Sequence, residues 1–410
     1  MKTFFMIGWR NLWRNKRRSL VVISSVALGI FAMLFSMGFM NGMNRQMVEN
    51  TISTSLGHVS IHYKGFLDDM KLEKSFVPST SLLDRLESIQ GLAFAPRVKM
   101  EGMIRSSEAS RGVMIIGIDP EREKSVTKIF DYTKKNEKSA YLSDPGRHDI
   151  LISQTLAEKL DLLTGDKLVL MVKGHDKEIV GMAFRIKGLF QSPLDSFDKF
   201  VVFTGITALQ EIVGIKDRIS EIVIRTPHRD LVDEIAVRIK TFIKTPGVTA
   251  MTWKEMAPGL MKAVILFDNM MYIFFAIIFT TVVFSIANTL IMAIMERFRE
   301  IGVMKSIGTR PSWIGAMVMF ESINLGIAGM IAGILMTMIV VIPLSFSGID
   351  FSFYAESMRD WGTGNVIYPV MKTRDLIVCG IIVLTTTIAA AIYPAIKAAR
   401  IKPLDALHHV

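Results

Sequence analysis

The sequence predicts a membrane protein with four transmembrane helices and one large mixed α/β domain outside the cytoplasm. Three observations predict this fold class. Hydrophobic residues make up 50% of the 410 residues, too many for an ordinary soluble enzyme. These apolar residues concentrate in four long blocks. Between the first two blocks, short alternating runs separated by turn residues indicate a soluble domain of strands and helices.

Each of the four apolar blocks is long enough to cross a bilayer. A crossing helix needs about 20 residues, and in lipid only a helix or a closed barrel satisfies every backbone amide. The blocks show no strand-like alternation, so we predict helices. The predicted spans are residues 20–43, 264–295, 311–342 and 376–394.

The first block has an alternative interpretation as a secretory signal, because basic residues precede it. It is longer than the apolar core of about 7 to 15 residues in such signals. No Ala-x-Ala-like cleavage site follows it. We therefore favour an uncleaved anchor.

Positive charge predicts the orientation of the spans. Basic residues without acidic ones precede the first span, and both the link at residues 296–310 and the tail at residues 395–410 are rich in Lys and Arg. By the positive-inside rule these segments are cytoplasmic, so residues 44–263 and the loop at residues 343–375 face outward. The net charge of +10 is then mostly a matter of topology, and no basic arm with interleaved aromatics indicates nucleic-acid binding.

The segment before the first span, residues 1–19, mixes large aromatic groups with positive charge. Trp9 and Trp13 lie among Arg10 and Arg14 within a few turns. This pattern predicts an amphipathic helix in the membrane interface. The alternative, a plain basic flank that sets topology, does not explain the two tryptophans.

The outward domain is predicted to contain two subdomains. A strand, helix, strand order occurs at residues 58–104 and again at residues 221–253, which indicates one split βαβ unit of the porter type. Residues 106–216 then form an inserted β-rich subdomain. Within it, the polar stretch at residues 119–147 is typical of a surface excursion or mobile loop.

No catalytic, cofactor-binding or metal-binding constellation is found in the sequence. It has no Gly-x-x-x-x-Gly-Lys-[Ser/Thr] loop for ATP and no helical His pair for a metal. His58 and His62 fall on one predicted strand, too far apart to share a metal. Asp195 and Asp198 are interpreted as a solvated turn. The single cysteine, Cys379, excludes an intrachain disulfide. Because the sequence contains no catalytic constellation, we predict that the chain is not an enzyme.

Two features inside the predicted spans concern helix packing. Glu321, with Asn324 one turn further, is a costly polar group in lipid and is expected to have a partner. It is either a contact that changes between states or an interhelically bonded structural residue. Small-residue pairs offer faces for close helix contact, either in a dimer or within one bundle. They are Gly38 with Gly42 and Gly329 with Gly333.

The link at residues 296–310 has the pattern of a charged amphipathic helix. Phe298, Ile301 and Lys305 fall on one side, while Glu296 and Glu300 are spaced to pair with neighbouring cations. Such a helix suits docking in a groove of a soluble partner. On chemistry alone, a solvated linker is an equal alternative.

This link is also where a family resemblance begins. The run Glu-Ile-Gly-Val-Met-Lys-Ser-Ile-Gly-Thr at residues 300–309 resembles the coupling segment of FtsX-like permeases. The closing run at residues 393–407 and the order of one span, one large domain and three spans are similar to that family and to its MacB-type members. Residues 112–120, 149–166 and 269–271 resemble the lipoprotein-releasing (Lol-type) permeases most.

The resemblance implies an ABC transporter subunit of the bacterial inner membrane with a periplasmic domain. It would couple ATP hydrolysis in a separate partner ATPase, which binds the ATP and magnesium, to mechanical extraction of lipoproteins for the outer membrane. A second permease copy or a paralogue would complete a dimer among membrane lipids. The implied ATPase-coupling residues are Glu296, Arg297, Glu300, Ile301, Gly302, Lys305 and Gly308.

The resemblance also implies an apolar cavity for the acyl chains of a lipoprotein at the outer ends of the first two spans. Methionine suits such a lining because its side chain is flexible and polarizable. The chain holds 28 methionines, so compositional bias is an equal explanation. The implied cavity residues are Phe39, Met40, Met43, Met47, Phe267, Met270 and Met271.

One departure from the Lol-type pattern leaves alternatives open. Subunits that recruit a periplasmic carrier bear an extended loop between two late strands, whereas residues 171–181 are short here. The chain could instead grip cargo in a heterodimer, or act as a MacB-type homodimer on another substrate. A third alternative is an FtsX-like regulator of a periplasmic cell-wall hydrolase.

Overall fold

A computed structural model describes residues 16–133 and 139–403. The predicted interfacial helix at residues 1–19 therefore lies mostly outside the described residues. The chain forms two compact units. The first, the membrane unit, comprises Met1–Asn44, Val264–Asp350 and Val366–Val410. The second, the α/β unit, comprises Arg45–Ala263 and Phe351–Asn365.

The helices and strands of the described residues follow in chain order. The helices are α1 Lys16–Thr51, α2 Phe66–Asp69, α3 Thr80–Glu87, α4 Pro120–Val126, α5 Ile129–Tyr132, α6 Gln154–Lys159, α7 Asp195–Asp198, α8 Ile206–Val213, α9 Val232–Phe242, α10 Trp253–Met256, α11 Pro258–Glu296, α12 Phe298–Ser306, α13 Pro311–Ser347, α14 Ala355–Asp360 and α15 Thr373–Ala399. The strands are β1 Val59–Tyr63, β2 Ala93–Arg105, β3 Ser110–Ile118, β4 Asp149–Ser153, β5 Lys167–Lys173, β6 Ile179–Phe190, β7 Val201–Gly205, β8 Glu221–Arg225, β9 Val248–Thr252, β10 Ile349–Asp350 and β11 Val366–Ile367.

Four helices of the described residues, α1, α11, α13 and α15, are long and apolar enough to cross a membrane. With the α/β unit they confirm the predicted fold class. Each helix runs beyond its predicted span; α11, for example, begins at Pro258 instead of residue 264 and α13 ends at Ser347 instead of residue 342. The reason is that a helix continues for as long as its backbone bonds continue, whereas hydropathy detects only the apolar part.

The core of the membrane unit forms where these helices meet. Ile30 of α1, Ile286 of α11, Leu325 of α13 and Val383 of α15 belong to one buried apolar cluster. The outward faces of the same helices keep large apolar side chains exposed, such as Phe284 at 70%. Apolar exposure of this kind is what a lipid-facing surface requires.

The glycine pairs of the predicted spans pack against the chain's own elements. A Cβ on Gly333 would lie 2.8 Å from the Cβ of Ile30, and one on Gly329 would lie 2.6 Å from the Cβ of Val26. A Cβ on Gly42 would lie closer still to the carbonyl oxygen of Tyr368. Gly42, Gly329 and Gly333 are therefore covered within one chain, as the alternative of packing within one bundle expects.

The α/β unit is built on a nine-stranded sheet in the order β3-β7-β4-β6-β5-β2-β8-β1-β9. The edge β2-β8-β1-β9 is antiparallel throughout. Helix α9 packs here, with Ile235 and Ile239 buried, and Arg85 of α3 lies 5.3 Å from the ring centre of Phe242. This part carries the strand, helix, strand order at both ends of the domain.

The rest of the sheet closes on itself. β2 pairs with β5 on one side and with β3 on the other, so β3, β7, β4, β6, β5 and β2 form a ring. Phe184, Phe190 and Phe203 are among its fully buried side chains. β3 to β7 fall within the proposed insertion at residues 106–216. The long strand β2 belongs to both parts of the sheet and joins them.

The polar stretch at residues 119–147 is not a loop throughout, and this prediction is corrected. Asp119 accepts hydrogen bonds from the backbone N–H groups of Glu121 and Arg122, and Pro120 opens α4. A short polar side chain followed by proline is a strong start signal for a helix. Val126 of α4 and Ile129 of α5 are buried, so both helices pack on the sheet. Residues 134–138 lie outside the described residues.

The interpretation of Asp195 and Asp198 as a solvated turn is wrong for Asp198. The two residues bound the short helix α7, and the side chain of Asp198 is fully buried. Arg359 donates to its carboxylate at 2.7 Å and the Ser192 hydroxyl donates at 2.6 Å. Residues 351–365, predicted as part of a simple loop, thus belong to the α/β unit.

Candidate functional site

The link between α11 and α13 contains α12, whose inner face is anchored in the membrane unit. Ile301 is 2% exposed and belongs to the apolar core, where Phe298 and Met304 pack against it. Gly302 is buried beside it. Two of the predicted coupling residues, Ile301 and Gly302, therefore hold the helix in place rather than face a partner.

Lys305 binds the end of α15. Its ammonium group donates to the carbonyl oxygens of Ala399 at 2.9 Å and Ile401 at 2.5 Å. The last carbonyls of a helix have no partner within the helix and carry partial negative charge, so a lysine there is well placed. Lys305 therefore connects α12 to the end of α15 through two hydrogen bonds.

Two ion pairs hold the start of the link. Arg18 of α1 donates to Glu296 at 2.6 Å. Arg297, between α11 and α12, pairs at 3.3 Å with Glu321 of α13, and both side chains are less than one-tenth exposed. The expected partner of Glu321 is thus Arg297. Because breaking a buried pair leaves a lone charge, this contact fixes the link to α13.

The outer face of the link exposes both apolar and charged side chains. Val303 is 44% exposed and Ile307 is 78% exposed, four residues apart. Of the predicted coupling residues, Glu300 and Gly308 share this exposed face and Glu296 is about half exposed. Sequence reasoning missed Val303 and Ile307. Their i, i+4 spacing opposite Ile301 was the available signal.

A cleft of about 150 Å³ opens in the membrane unit among α1, α11 and the start of α15. Met40 and Met271, predicted as cavity residues, line it. Met270 is instead 44% exposed. Met47 was also predicted to line the cavity, but it is buried in the α/β unit next to Gly362. The structure does not bring Phe39, Met43 or Phe267 into the lining of this cleft.

The cleft has a polar rim that sequence reasoning missed. The Asn41 amide donates to Asp375 at 2.7 Å, and the Lys372 ammonium donates to the Asn41 oxygen at 2.8 Å. Asp268 accepts from Asn44 at 3.3 Å, and Arg374 completes the rim. The sequence did hold a signal for this rim. Lys372 and Arg374 lie at the outward end of the fourth predicted span, where the positive-inside rule does not explain basic residues.

Comparison with known proteins gives two family matches. Residues 19–242 match the model of the MacB-like periplasmic core domain. Residues 272–403 match the model of the FtsX-like permease C-terminal region.

Similar proteins include two lipoprotein-releasing system transmembrane proteins. LolC of Neisseria meningitidis is 22% identical over 430 residues, which cover 98% of both chains. LolE of Haemophilus influenzae is 19% identical over 443 residues, which cover 99% of both chains. Among solved structures, the periplasmic region of MacB from Actinobacillus actinomycetemcomitans is 12% identical with a TM-score of 0.35, covering 50% of this chain and 93% of that chain.

Proposed function

Because the chain belongs to the family with a MacB-like periplasmic core domain and an FtsX-like permease C-terminal region, we propose that it is the permease subunit of a lipoprotein-releasing ABC transporter. The observation that carries this proposal is the match to LolC and LolE over nearly the whole length of each chain. The match therefore includes both the membrane unit and the α/β unit of this chain.

The proposed orientation places both termini and α12 in the cytoplasm and the α/β unit in the periplasm of an inner-membrane protein. Charge supports it. Lys16, Arg17 and Arg18 open α1, and Arg299 and Arg310 lie in the link.

The proposed mechanism is mechanical. A separate ATPase that binds ATP and magnesium docks on the outer face of α12 and changes the position of this helix during its cycle. Since Ile301 is buried in the core and Lys305 holds the end of α15, movement of α12 reaches the membrane helices directly. This chain supplies no catalytic group in the proposal. A second permease, identical or paralogous, forms the other half of the transporter.

The hairpin between β5 and β6 supports a proposal on how two permeases share the work. Its turn closes with a hydrogen bond from the Gly174 N–H to the Glu178 carbonyl at 2.8 Å, so no extended arm projects between these strands. We propose that this chain acts on the cargo, while capture of a periplasmic carrier falls to a paralogous subunit.

The docking surface is tested by the double variant Val303→Asp/Ile307→Asp. Two buried charges at an apolar contact cost several kcal/mol, so ATPase co-purification is expected to fall at least tenfold. The matched control is Leu163→Asp, which changes a 72% exposed leucine of the α/β unit. If the double variant retains its ATPase, the coupling assignment is wrong.

The cargo is tested by mass spectrometry of what co-purifies with the tagged chain in mild detergent. Acylated lipoproteins together with an ATPase support lipoprotein release. An ATPase with a periplasmic adaptor or a cell-wall hydrolase, and no lipoprotein, would move the assignment to the MacB-type or regulatory alternative.

A further inference from the structure

The cleft at the start of α15 has a polar end and an apolar end. On α11, Asp268 is followed one turn later by Met271 and two turns later by Phe275, and all three line the cleft. At the start of α15, Lys372 precedes the helix, Arg374 lies in its first turn, and Val378 lies one turn further into it. Both helices therefore change from charged to apolar in the same direction along the cleft.

Helix α1 follows the same gradient from the opposite chain direction. Asn41 lies at the polar rim, and Met40 and Met37 lie toward the apolar end. A cleft lined by three elements with one common polarity fits an amphiphile better than a polar metabolite. Its volume of about 150 Å³ is below the ~300 Å³ of pockets that enclose a whole ligand. It fits a headgroup and the upper part of the chains.

The charges of the rim define the headgroup. The buried Asp375 is satisfied by the Asn41 amide and the Lys372 backbone N–H, so it is committed to the fold. Within the described residues, Lys372 and Arg374 make no ion pair with a carboxylate, and Asp268 makes none with a cation. Two cations and one carboxylate thus remain for a ligand.

We propose that this cleft binds a diacyl phospholipid with an amine-bearing, zwitterionic headgroup. Lys372 and Arg374 receive the phosphate, which is the anion that basic pockets between membrane helices bind in lipids. Asp268 receives the ammonium group. The acyl chains begin against Met271, Phe275 and Val378. This inference rests on the membrane location in the proposed function and not on the lipoprotein cargo.

A lipid in this cleft bears on the proposed cargo site. Met40 and Met271 are predicted to contact acyl chains of a lipoprotein, and they line the same cleft. A resident phospholipid would then occupy the site between transport events. A cargo without a phosphate would have to displace it, so the rim distinguishes bulk lipid from cargo by its headgroup.

The test measures lipid binding to the purified permease alone. Delipidated protein is mixed with vesicles of equal phosphatidylethanolamine and phosphatidylglycerol, and retained lipids are counted by native mass spectrometry. The wild type is expected to retain phosphatidylethanolamine about tenfold over phosphatidylglycerol, the ratio for one charge-assisted hydrogen bond. Asp268→Asn is expected to lose that preference and still bind both lipids. Lys372→Gln/Arg374→Gln is expected to lose about tenfold for both.

The control is Lys244→Gln/Lys262→Gln, which removes two exposed lysines of the α/β unit. Equal retention by wild type and rim variants would show ordinary surrounding lipid and overturn the proposal. Displacement by soluble phosphoethanolamine as efficient as by lipid would overturn the lipid assignment. If the wild type shows no lipid selectivity but co-purifies with the ATPase, only this inference is rejected. If the wild type selects the lipid but does not co-purify with the ATPase, only the coupling proposal is rejected.

Discussion

At the scale of single residues, the strongest electrostatic feature is Arg97 in the α/β unit. Its guanidinium is 1% exposed and pairs with Glu123 at 2.6 Å and Glu221 at 3.5 Å. It also donates to the Ser55 carbonyl at 2.6 Å. Burial by itself lowers the pKa of Arg97. The carboxylates of Glu123 and Glu221 raise it by more, so the pKa of Arg97 lies above its ordinary value. The group joins β2, α4, β8 and the segment before β1.

Replacing Arg97 by alanine is expected to destabilise the α/β unit by about 3 to 5 kcal/mol, because two buried carboxylates lose their cation. The measurement is urea unfolding of the purified chain in detergent, followed by hydrogen exchange of β2 and β8. Lys254→Ala serves as control, since its pair with Asp233 is well exposed and is worth at most about 1 kcal/mol. Equal effects of the two changes would contradict the structural role of Arg97.

Asp198 predicts a pH dependence. Burial raises its pKa to about 6, while hydrogen bonds from Ser192 and the charge of Arg359 oppose the rise. The native state then keeps its proton to higher pH than the unfolded chain, whose pKa is about 3.9. The native state binds more protons in this window, so the free energy of unfolding falls as pH rises from about 4 to about 6.

Hydrogen exchange of residues 192–198 and 351–365 between pH 4 and pH 6, corrected for intrinsic rates, measures this dependence. Asp198→Asn is expected to abolish the loss of protection as pH rises. Asp217→Asn, an exposed carboxyl elsewhere in the unit, is expected to retain it. An unchanged profile in Asp198→Asn would show that another group titrates.

Residue environments of this kind were beyond sequence reasoning. Asp198 has the local sequence of a turn, and its partner Arg359 is 161 residues away. Glu321 was expected to have a partner because an isolated carboxylate in a span is costly, yet nothing local named Arg297. Chemistry predicts that a partner exists, and only the fold identifies it.

At the scale of elements, the close contact of α13 with α1 depends on Gly333, because glycine has no side chain to separate the two helices. Gly333→Ala would place a Cβ 2.8 Å from Ile30 and 2.9 Å from the Ala27 carbonyl oxygen. Overpacking of this kind costs about 1 to 3 kcal/mol. The expected result is a lower melting temperature of the detergent-solubilised protein, measured by static light scattering or fluorescence.

The matched control for Gly333→Ala is Gly380→Ala in α15. The nearest atom to its added Cβ is the flexible Met330 sulfur at 3.7 Å. Alanine also has the higher helix propensity, by about 1 kcal/mol. Gly380→Ala should therefore be neutral or stabilising. A loss of stability as large as that of Gly333→Ala would mean that close packing is not the cause.

Hydrophobic periodicity in the sequence predicts most of the helices and strands, but it does not predict the short helices α4 and α5. The apolar blocks and the amphipathic link were evident because their patterns repeat over many residues. Residues 119–132 were missed as helices because their buried groups, Val126 and Ile129, are few and stand among charged neighbours. The Asp119-Pro120 start signal for a helix outweighs the polar composition that predicts a loop.

At the scale of the whole molecule, the closed ring of strands was not predictable from the sequence. β3 pairs with β7 in parallel and β4 pairs with β6 in parallel, while the neighbouring pairs are antiparallel. Alternation identifies a strand but carries no information on its neighbour. Strand β3 ends at Ile118 and its partner β7 begins at Val201, so no local pattern could identify them as partners.

In the proposed mechanism, Lys305 transmits movement of α12 to the spans. Lys305→Met removes the bonds to Ala399 and Ile401 and leaves Val303 and Ile307 exposed. If docking and transmission are separate steps, the variant keeps its ATPase within about twofold. It loses at least about tenfold in ATP-driven lipoprotein release from proteoliposomes, because two charge-assisted hydrogen bonds are removed. Lys402→Met, an exposed lysine just beyond α15, is the control and should release cargo normally. Normal release by Lys305→Met would show that movement reaches α15 through Ile301 and the core, whereas loss of the ATPase itself would place Lys305 in the docking surface.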